Sequence, residues 1–531
     1  MPASRTFARH ATRSPNRTTN RRTVKYRFIV KQLGILIAVL GAAMAIVAGW
    51  AGLRAGLGAR GEQTAAWALL FAAGLAGVAA LIFWLIGRGK VGYLDRREAL
   101  LLVVLSWMSA AIFGGAPYLL WSHFAGLDEH VFRSPIASVF EAMSGLTTTG
   151  ATVLSDVDGL PDALHLWRAL THWFGGLGII VLFVAVLPSL GVGGRRLFGV
   201  ESAGPQPGGV HPQIRDTARN LWYIYSGLTI VQIIAMKLAG MSLFDAICHA
   251  FGTLATGGFS TRGASVGAYN EVIQVIIILF MVLAGCNFGL YQQLFRGKFR
   301  DVYKDPELRV YLFILAGATA AVAFWINGTT IVETTGDAVT ANAGVALREA
   351  GFNVVAIQTT TGFGTSDFNV WAAPAKLMLV TLMFVGGCAG STSGGIKVIR
   401  VWIALKVLIN EVERVFRPHI VRPVRIGGRA LDQQVRSAAV VYIVGMLVLF
   451  VFGAFAVMLL EGDRADMATA LTASVATLCT IGPGLGAIGP IENYGWMNDS
   501  TLATLIILML MGRLEVLPVL VLIVPSYWRG E

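Results

Sequence analysis

The chain has 531 residues, 55% of them apolar and only 14% charged, with a formal net charge of +12. Soluble domains carry about 25% charged residues, so too little polar surface remains to clothe a water-soluble particle. The positive charge alternates between loops, which excludes a nucleic-acid face and fits the positive-inside pattern of a polytopic membrane protein.

Residues 1–27 are polar, basic and Thr-rich, and nine Lys or Arg fall in 1–31 with no Asp or Glu. This reads as a disordered cytoplasmic tail with anionic membrane lipid as its contact. Arg21–Arg22 form a twin arginine, but the next apolar run is long enough to span and no A-x-A cleavage site follows it. Spanning helices are expected near 28–50, 64–87, 99–121, 164–187, 220–240, 270–295, 309–331, 374–405, 437–460 and 499–525. Basic clusters at Arg88–Arg97, Arg195–Arg219, Arg296–Arg309 and Lys406–Arg436 put those loops, and both termini, in the cytoplasm. The four cysteines lack metal spacing and are read as unpaired thiols.

Four outer segments are too short to span: Ser134–Ser155, Leu243–Ser260, Leu347–Asp367 and Asp466–Gly486. Each opens as an apolar helix and runs into Thr and Gly, suiting a re-entrant loop. The endings are Thr147-Thr148-Thr149-Gly150, Thr256-Gly257-Gly258-Phe259, Thr359-Thr360-Thr361-Gly362 and Cys479-Thr480-Ile481-Gly482. Taking Gly150, Gly257, Gly362 and Gly482 as equivalent gives intervals of 107, 105 and 120 residues. The chain from about 99 onward is then four copies of helix, re-entrant loop, helix. Asp245 and Asp466 read as N-caps of two of the short helices.

Non-helical backbone at membrane depth must face protein, water or an ion. Glycine permits positive φ, so successive carbonyls can turn toward one axis and replace the hydration shell of a monovalent cation. Helix packing through small residues would explain one Thr-Gly phrase. Four phrases in register on one side point to a pore instead. The expected fold is an all-α polytopic membrane protein of ten transmembrane helices, the last eight forming four helix–loop–helix repeats. The divisions are 1–27 tail, 28–93 two additional helices, and repeats at 94–219, 220–308, 309–436 and 437–531.

Two further features stand out. In Gly386–Gly395 five of ten residues are Gly and the rest Cys, Ala, Ser or Thr, which a continuous helix disfavours at about 1 kcal/mol per Gly. Arg513 sits inside an apolar run, where a charge costs at least about 2.5 kcal/mol. Glu515, two positions away, faces elsewhere on a helix, so Arg513 needs another partner or a wet cavity. Two G-x-G-x-x-G matches, from Gly56 and Gly484, follow no soluble strand, so no nucleotide is expected on this chain; H-E-x-x-H does not occur, and the one G-x-S-x-G match, Gly263–Gly267, follows no soluble strand either, so no enzyme is expected.

These phrases, with His172-Trp173-Phe174-Gly175-Gly176-Leu177-Gly178 and Phe384 through Lys397, resemble the TrkH/KtrB family of potassium uptake proteins over roughly 94–525. The two leading helices match the extra pair of TrkH-type members. The resemblance implies potassium uptake across the bacterial cytoplasmic membrane. It implies a filter at Thr148, Thr149, Gly150, Thr256, Gly257, Thr360, Thr361, Gly362, Thr480, Ile481 and Gly482. Potassium would lie against Thr149, Gly150, Thr256, Gly257, Thr361, Gly362, Ile481 and Gly482. A gate is implied at Gly386, Gly387, Gly390, Ser391, Thr392, Ser393, Gly394 and Gly395, with Lys397 near its cytoplasmic side and Arg513 in the pore below the filter. It also implies a homodimer on a cytoplasmic TrkA- or KtrA-like nucleotide-binding ring. Ile481 departs from the Thr of the other phrases. Alternatives are a symporter coupled to sodium or protons, or a non-selective monovalent cation channel.

Overall fold

The computed structural model describes residues 26–59, 61–88, 96–181, 211–418 and 423–529. The tail expected at 1–27 lies outside them but for the first helical turn, as does most of the basic loop at 189–219. Six described helices are long and apolar enough to cross a membrane, and two bent pairs bring the number to eight. Their outward faces carry large apolar side chains such as Val39, Ile46, Leu75, Phe313 and Phe452, all exposed. A helix with so apolar an outer surface belongs in lipid. The chain is a multi-pass membrane protein.

The leading helices, Tyr26–Gly56 and Glu62–Ile86, pack on each other and on Arg96–Phe124. Gly34 and Gly41 allow the close approach, since a Cβ at Gly34 would lie 3.0 Å from the Ala80 carbonyl.

Four short helices occupy the interior: Pro135–Leu146, Leu243–Ala255, Ala343–Gln358 and Met467–Leu478. Their N-termini are fixed by side-chain caps at Ser134, Ser242, Asn342 and Asp466, which satisfy otherwise orphaned N–H groups. Asp466 is the cap the sequence predicts, but Asp245 is not. Ser242 takes that place, leaving the Asp245 carboxylate free to accept from the Thr261 hydroxyl at 2.6 Å. Nearly every residue in the C-terminal half of each short helix is buried.

Each short helix packs between the long helix before it and the helix after it. The following helix also packs on the next short helix in line. Asp162–Val181 lies on Leu243–Ala255, Glu271–Ala284 on Ala343–Gln358, and Ala373–Val385 on Met467–Leu478. Asp499–Arg513 then returns to Pro135–Leu146, closing the circuit.

The run 374–405 is broken where Gly386–Gly395 predicts. Two others, 270–295 and 499–525, were expected to be continuous and are not. Glu271–Ala284 turns through 92° into Phe288–Phe295, and Asp499–Arg513 through 119° into Leu517–Ile523. Asn287 caps the new helix at the first break. At the second, Glu515 and Val516 take positive φ, and Pro518 cannot continue the ladder.

Candidate functional site

All four short helices end the same way. Thr148, Thr256, Thr360 and Thr480 take left-handed φ of 55°, 56°, 55° and 54°. The next N–H reaches back five residues, from Thr149 to Ser144, Gly257 to Gly252, Thr361 to Ala356 and Ile481 to Ala476, at 2.7–2.9 Å. That bond is the 6→1 closure of a Schellman turn, which usually demands Gly. A β-branched residue with positive φ is an outlier, and four at matching places mark backbone held in place by its surroundings.

The turn fixes the register. Two residues beyond each Thr lie Gly150, Gly258, Gly362 and Gly482, with φ of 79°, 86°, 76° and 100°. The second segment is thus shifted by one from the sequence reading, which paired Thr256-Gly257 with Thr149-Gly150. Gly257 stands where Thr149, Thr361 and Ile481 stand, and Gly258 is the glycine equivalent to Gly150. Two adjacent glycines hid the slip, because only backbone conformation distinguishes them.

In this register the segments form a ring. A Cβ on Gly150 would collide with the Gly257 carbonyl, one on Gly258 with that of Thr361, and one on Gly362 with that of Ile481. A Cβ on Gly482 would lie 2.7 Å from the Thr149 carbonyl. Carbonyls of Thr149, Gly257, Thr361 and Ile481 therefore each abut a glycine of the neighbouring segment, and the fourth meets the first. Only glycine permits both the φ and the approach.

Side chains are less symmetric than backbone. Thr147 and Thr149 share a hydroxyl bond at 2.8 Å, as do Thr359 and Thr361. Ala255/Gly257 and Cys479/Ile481 have no hydroxyls at those places, so Ile481 fits an alternation of first and third against second and fourth.

Behind the ring, polar side chains that the sequence reading missed tie each short helix to the extended segment leaving it. Glu141 accepts from the Thr152 hydroxyl at 2.9 Å and the Val153 N–H at 3.0 Å, and pairs with buried Arg168 at 2.8 Å. His249 meets the Ser260 hydroxyl at 3.0 Å. Asn353 donates to the Thr365 and Ser366 hydroxyls at 3.2 and 3.1 Å. All three stand seven residues before the left-handed Thr, a spacing visible in the sequence once that register is known. In the fourth segment Thr472 substitutes, accepting from the Leu485 N–H at 2.8 Å. His172 stacks on Phe259, ring centroids 4.2 Å apart, and a Cβ on Gly257 would collide with its ring.

The hairpin Thr330–Val332/Ala338–Thr340 straps the segment after the third short helix. Asp367 N–H donates to the Val332 carbonyl at 2.7 Å and Thr334 N–H to that of Thr365 at 3.0 Å.

The Gly386–Gly395 loop lies against the other side of the ring. Its Gly394 N–H donates to the Thr360 hydroxyl at 2.7 Å, and its Thr392 hydroxyl to the Leu254 carbonyl at 3.0 Å. Gly386, Gly390 and Gly395 have φ near 72°, and Cys388 N–H bonds the Gly285 carbonyl at the break in the preceding unit. Glu307 accepts from Ala389 N–H at 2.7 Å. Lys397 is buried and folds back into the loop. Its ammonium donates to the carbonyls of Ser393, Cys388 and Ser391 at 2.8, 3.3 and 3.4 Å.

Arg513 finds its partners here. Nη1 donates to the Thr392 carbonyl at 2.9 Å and Nη2 to that of Gly175 at 3.0 Å. Glu515 faces away, as expected, and takes two bonds from Arg400 at 2.8–2.9 Å. The arrangement is thus a ring of backbone carbonyls with a buried loop beneath it, whose carbonyls accept from Arg513 and Lys397.

The sequence model described as TrkH, a cation transport protein, matches residues 113–529. The Trk system potassium uptake protein TrkH of Escherichia coli K12 is 37% identical over 520 residues, 95% of this chain and 99% of that one. The Halomonas elongata protein of the same name is 38% identical, covering 84% of this chain and 90% of its own. The crystal structure of the potassium transporter TrkH from Vibrio parahaemolyticus superposes with a TM-score of 0.82 at 34% identity, over 95% of this chain and 99% of that chain.

Proposed function

Since this chain belongs to the TrkH family of cation transport proteins, we propose that it takes up potassium across the bacterial cytoplasmic membrane through one pore at the centre of four repeats. The observation that carries this reading is the closed ring of carbonyls from Thr149, Gly257, Thr361 and Ile481. Such a ring can replace the water around a monovalent cation. Ten spans, with the two leading helices outside the repeats, accommodate the broken helices as single crossings. The Gly386–Gly395 loop is the gate, blocking the path beneath the filter until it moves. Arg513 holds it shut by binding the Thr392 carbonyl, and Lys397 keeps the loop's own carbonyls compensated. The chain works as a homodimer on a cytoplasmic nucleotide-binding ring, with both termini on that side.

The test is potassium and sodium flux into liposomes holding this chain alone and with a candidate ring. The expected result is potassium flux exceeding sodium flux and rising with the ring. Properly inserted protein that carries neither ion under either condition, and gives no potassium-dependent growth in an uptake-deficient bacterium, overturns the proposal. Sodium- or proton-dependent accumulation against a gradient would replace passive conduction with symport.

A further inference from the structure

The carbonyl of Gly482 differs from those of its three equivalents. It accepts a hydrogen bond at 2.7 Å from the hydroxyl of Tyr494. Among the described residues, no side chain donates to the Gly150, Gly258 or Gly362 carbonyls. Tyr494 is 2% exposed and held from three sides. Its N–H donates to the Thr152 carbonyl at 2.8 Å, its ring lies 5.6 Å from that of Phe140 on the first short helix, and Gly495 leaves room for the Val153 carbonyl beside it. The phenol is thus positioned by the first unit and acts on the fourth. Gly482 also has the largest φ of the four glycines, 100°.

We propose that Tyr494 is a specificity-determining residue, fixing the fourth carbonyl and lowering its pull on a cation; this rests on the filter reading above. A donor on a carbonyl oxygen occupies one of its two lone pairs and sets a partial positive charge beside it, which offsets part of the oxygen's field. Because Coulomb attraction grows as the ion–oxygen distance shrinks, a stronger oxygen field favours the smaller sodium ion over potassium. Pinning the oxygen also prevents it from closing around the smaller ion. Both effects of the hydroxyl act in one direction, toward potassium.

Tyr494→Phe removes the donor and keeps the ring. In liposomes holding the full chain, the potassium-to-sodium flux ratio should fall roughly two- to tenfold, the span expected from one hydrogen bond. Replacing Tyr494 with 3-fluorotyrosine, a stronger donor of nearly the same size, should raise the ratio. A selective parent whose ratio is unchanged by Tyr494→Phe overturns this inference alone; a parent that does not favour potassium removes the filter premise with it. If Tyr494→Phe fails to insert, the fluorinated protein decides: a raised ratio supports the assignment and an unchanged one overturns it.

Discussion

Replacing Arg513 with Gln tests the latch under the filter. The guanidinium is 3% exposed and joins the loop to two fixed elements through the Thr392 and Gly175 carbonyls. Hydrogen bonds to a charged group contribute about 1.5–3 kcal/mol each, and only the Thr392 bond restrains the loop itself. Its loss should raise the open fraction about tenfold to a hundredfold, since each 1.4 kcal/mol is tenfold. The loop keeps its bonds to Thr360, Leu254 and Glu307, so the protein should fold and leak. The assay is potassium flux per inserted protein without any partner, alongside thermal unfolding. Arg513→Lys separates charge from geometry: if the fork matters it leaks too, whereas if charge alone suffices it stays closed. Because the group is buried, the gain should change little with salt. An Arg513→Gln protein that inserts normally and conducts no more than the parent refutes the latch.

Gly150→Ser and Gly362→Ser should each weaken discrimination against sodium, because the new Cβ meets a neighbouring carbonyl and φ is positive; matched potassium and sodium uptake checks it. Shortening Gly386–Gly395 should raise basal potassium flux in protein that still inserts, whereas a loop that merely packs helices would give poor insertion and no leak. Glu141→Gln should lower the unfolding temperature markedly, since breaking a buried ion pair costs about 3–5 kcal/mol, and adding Arg168→Met should restore much of it.

What the sequence made legible is what chemistry forces. Glycine is required where φ is positive and a carbonyl is in contact, so Gly150, Gly362 and Gly482 could be found without coordinates. The second segment escaped because Gly257 and Gly258 are interchangeable on paper; the Schellman bond from Gly257 to Gly252 separates them. Breaks at Gly285–Asn287 and Leu514–Val516 were illegible for a related reason. Both lie in runs that are mostly apolar, and hydropathy registers composition but not a missing backbone bond. Glu141, His249 and Asn353 looked like scattered polar residues until a common origin showed them at one depth.

Backbone and side chains divide their tasks at the ring. Ring carbonyls come from Thr149, Gly257, Thr361 and Ile481, three residue types that present one backbone group, so the ring itself can be nearly fourfold. The hydroxyls just below diverge. Thr360 receives the loop's Gly394 N–H, Thr256 bonds the adjacent Ala255 carbonyl, and those of Thr148 and Thr480 have no partner among the described residues. A loop supplied by one repeat can close under a fourfold ring only by engaging it unequally. The asymmetry of the threonines follows from having a single such loop, whereas the Gly482–Tyr494 bond does not involve that loop.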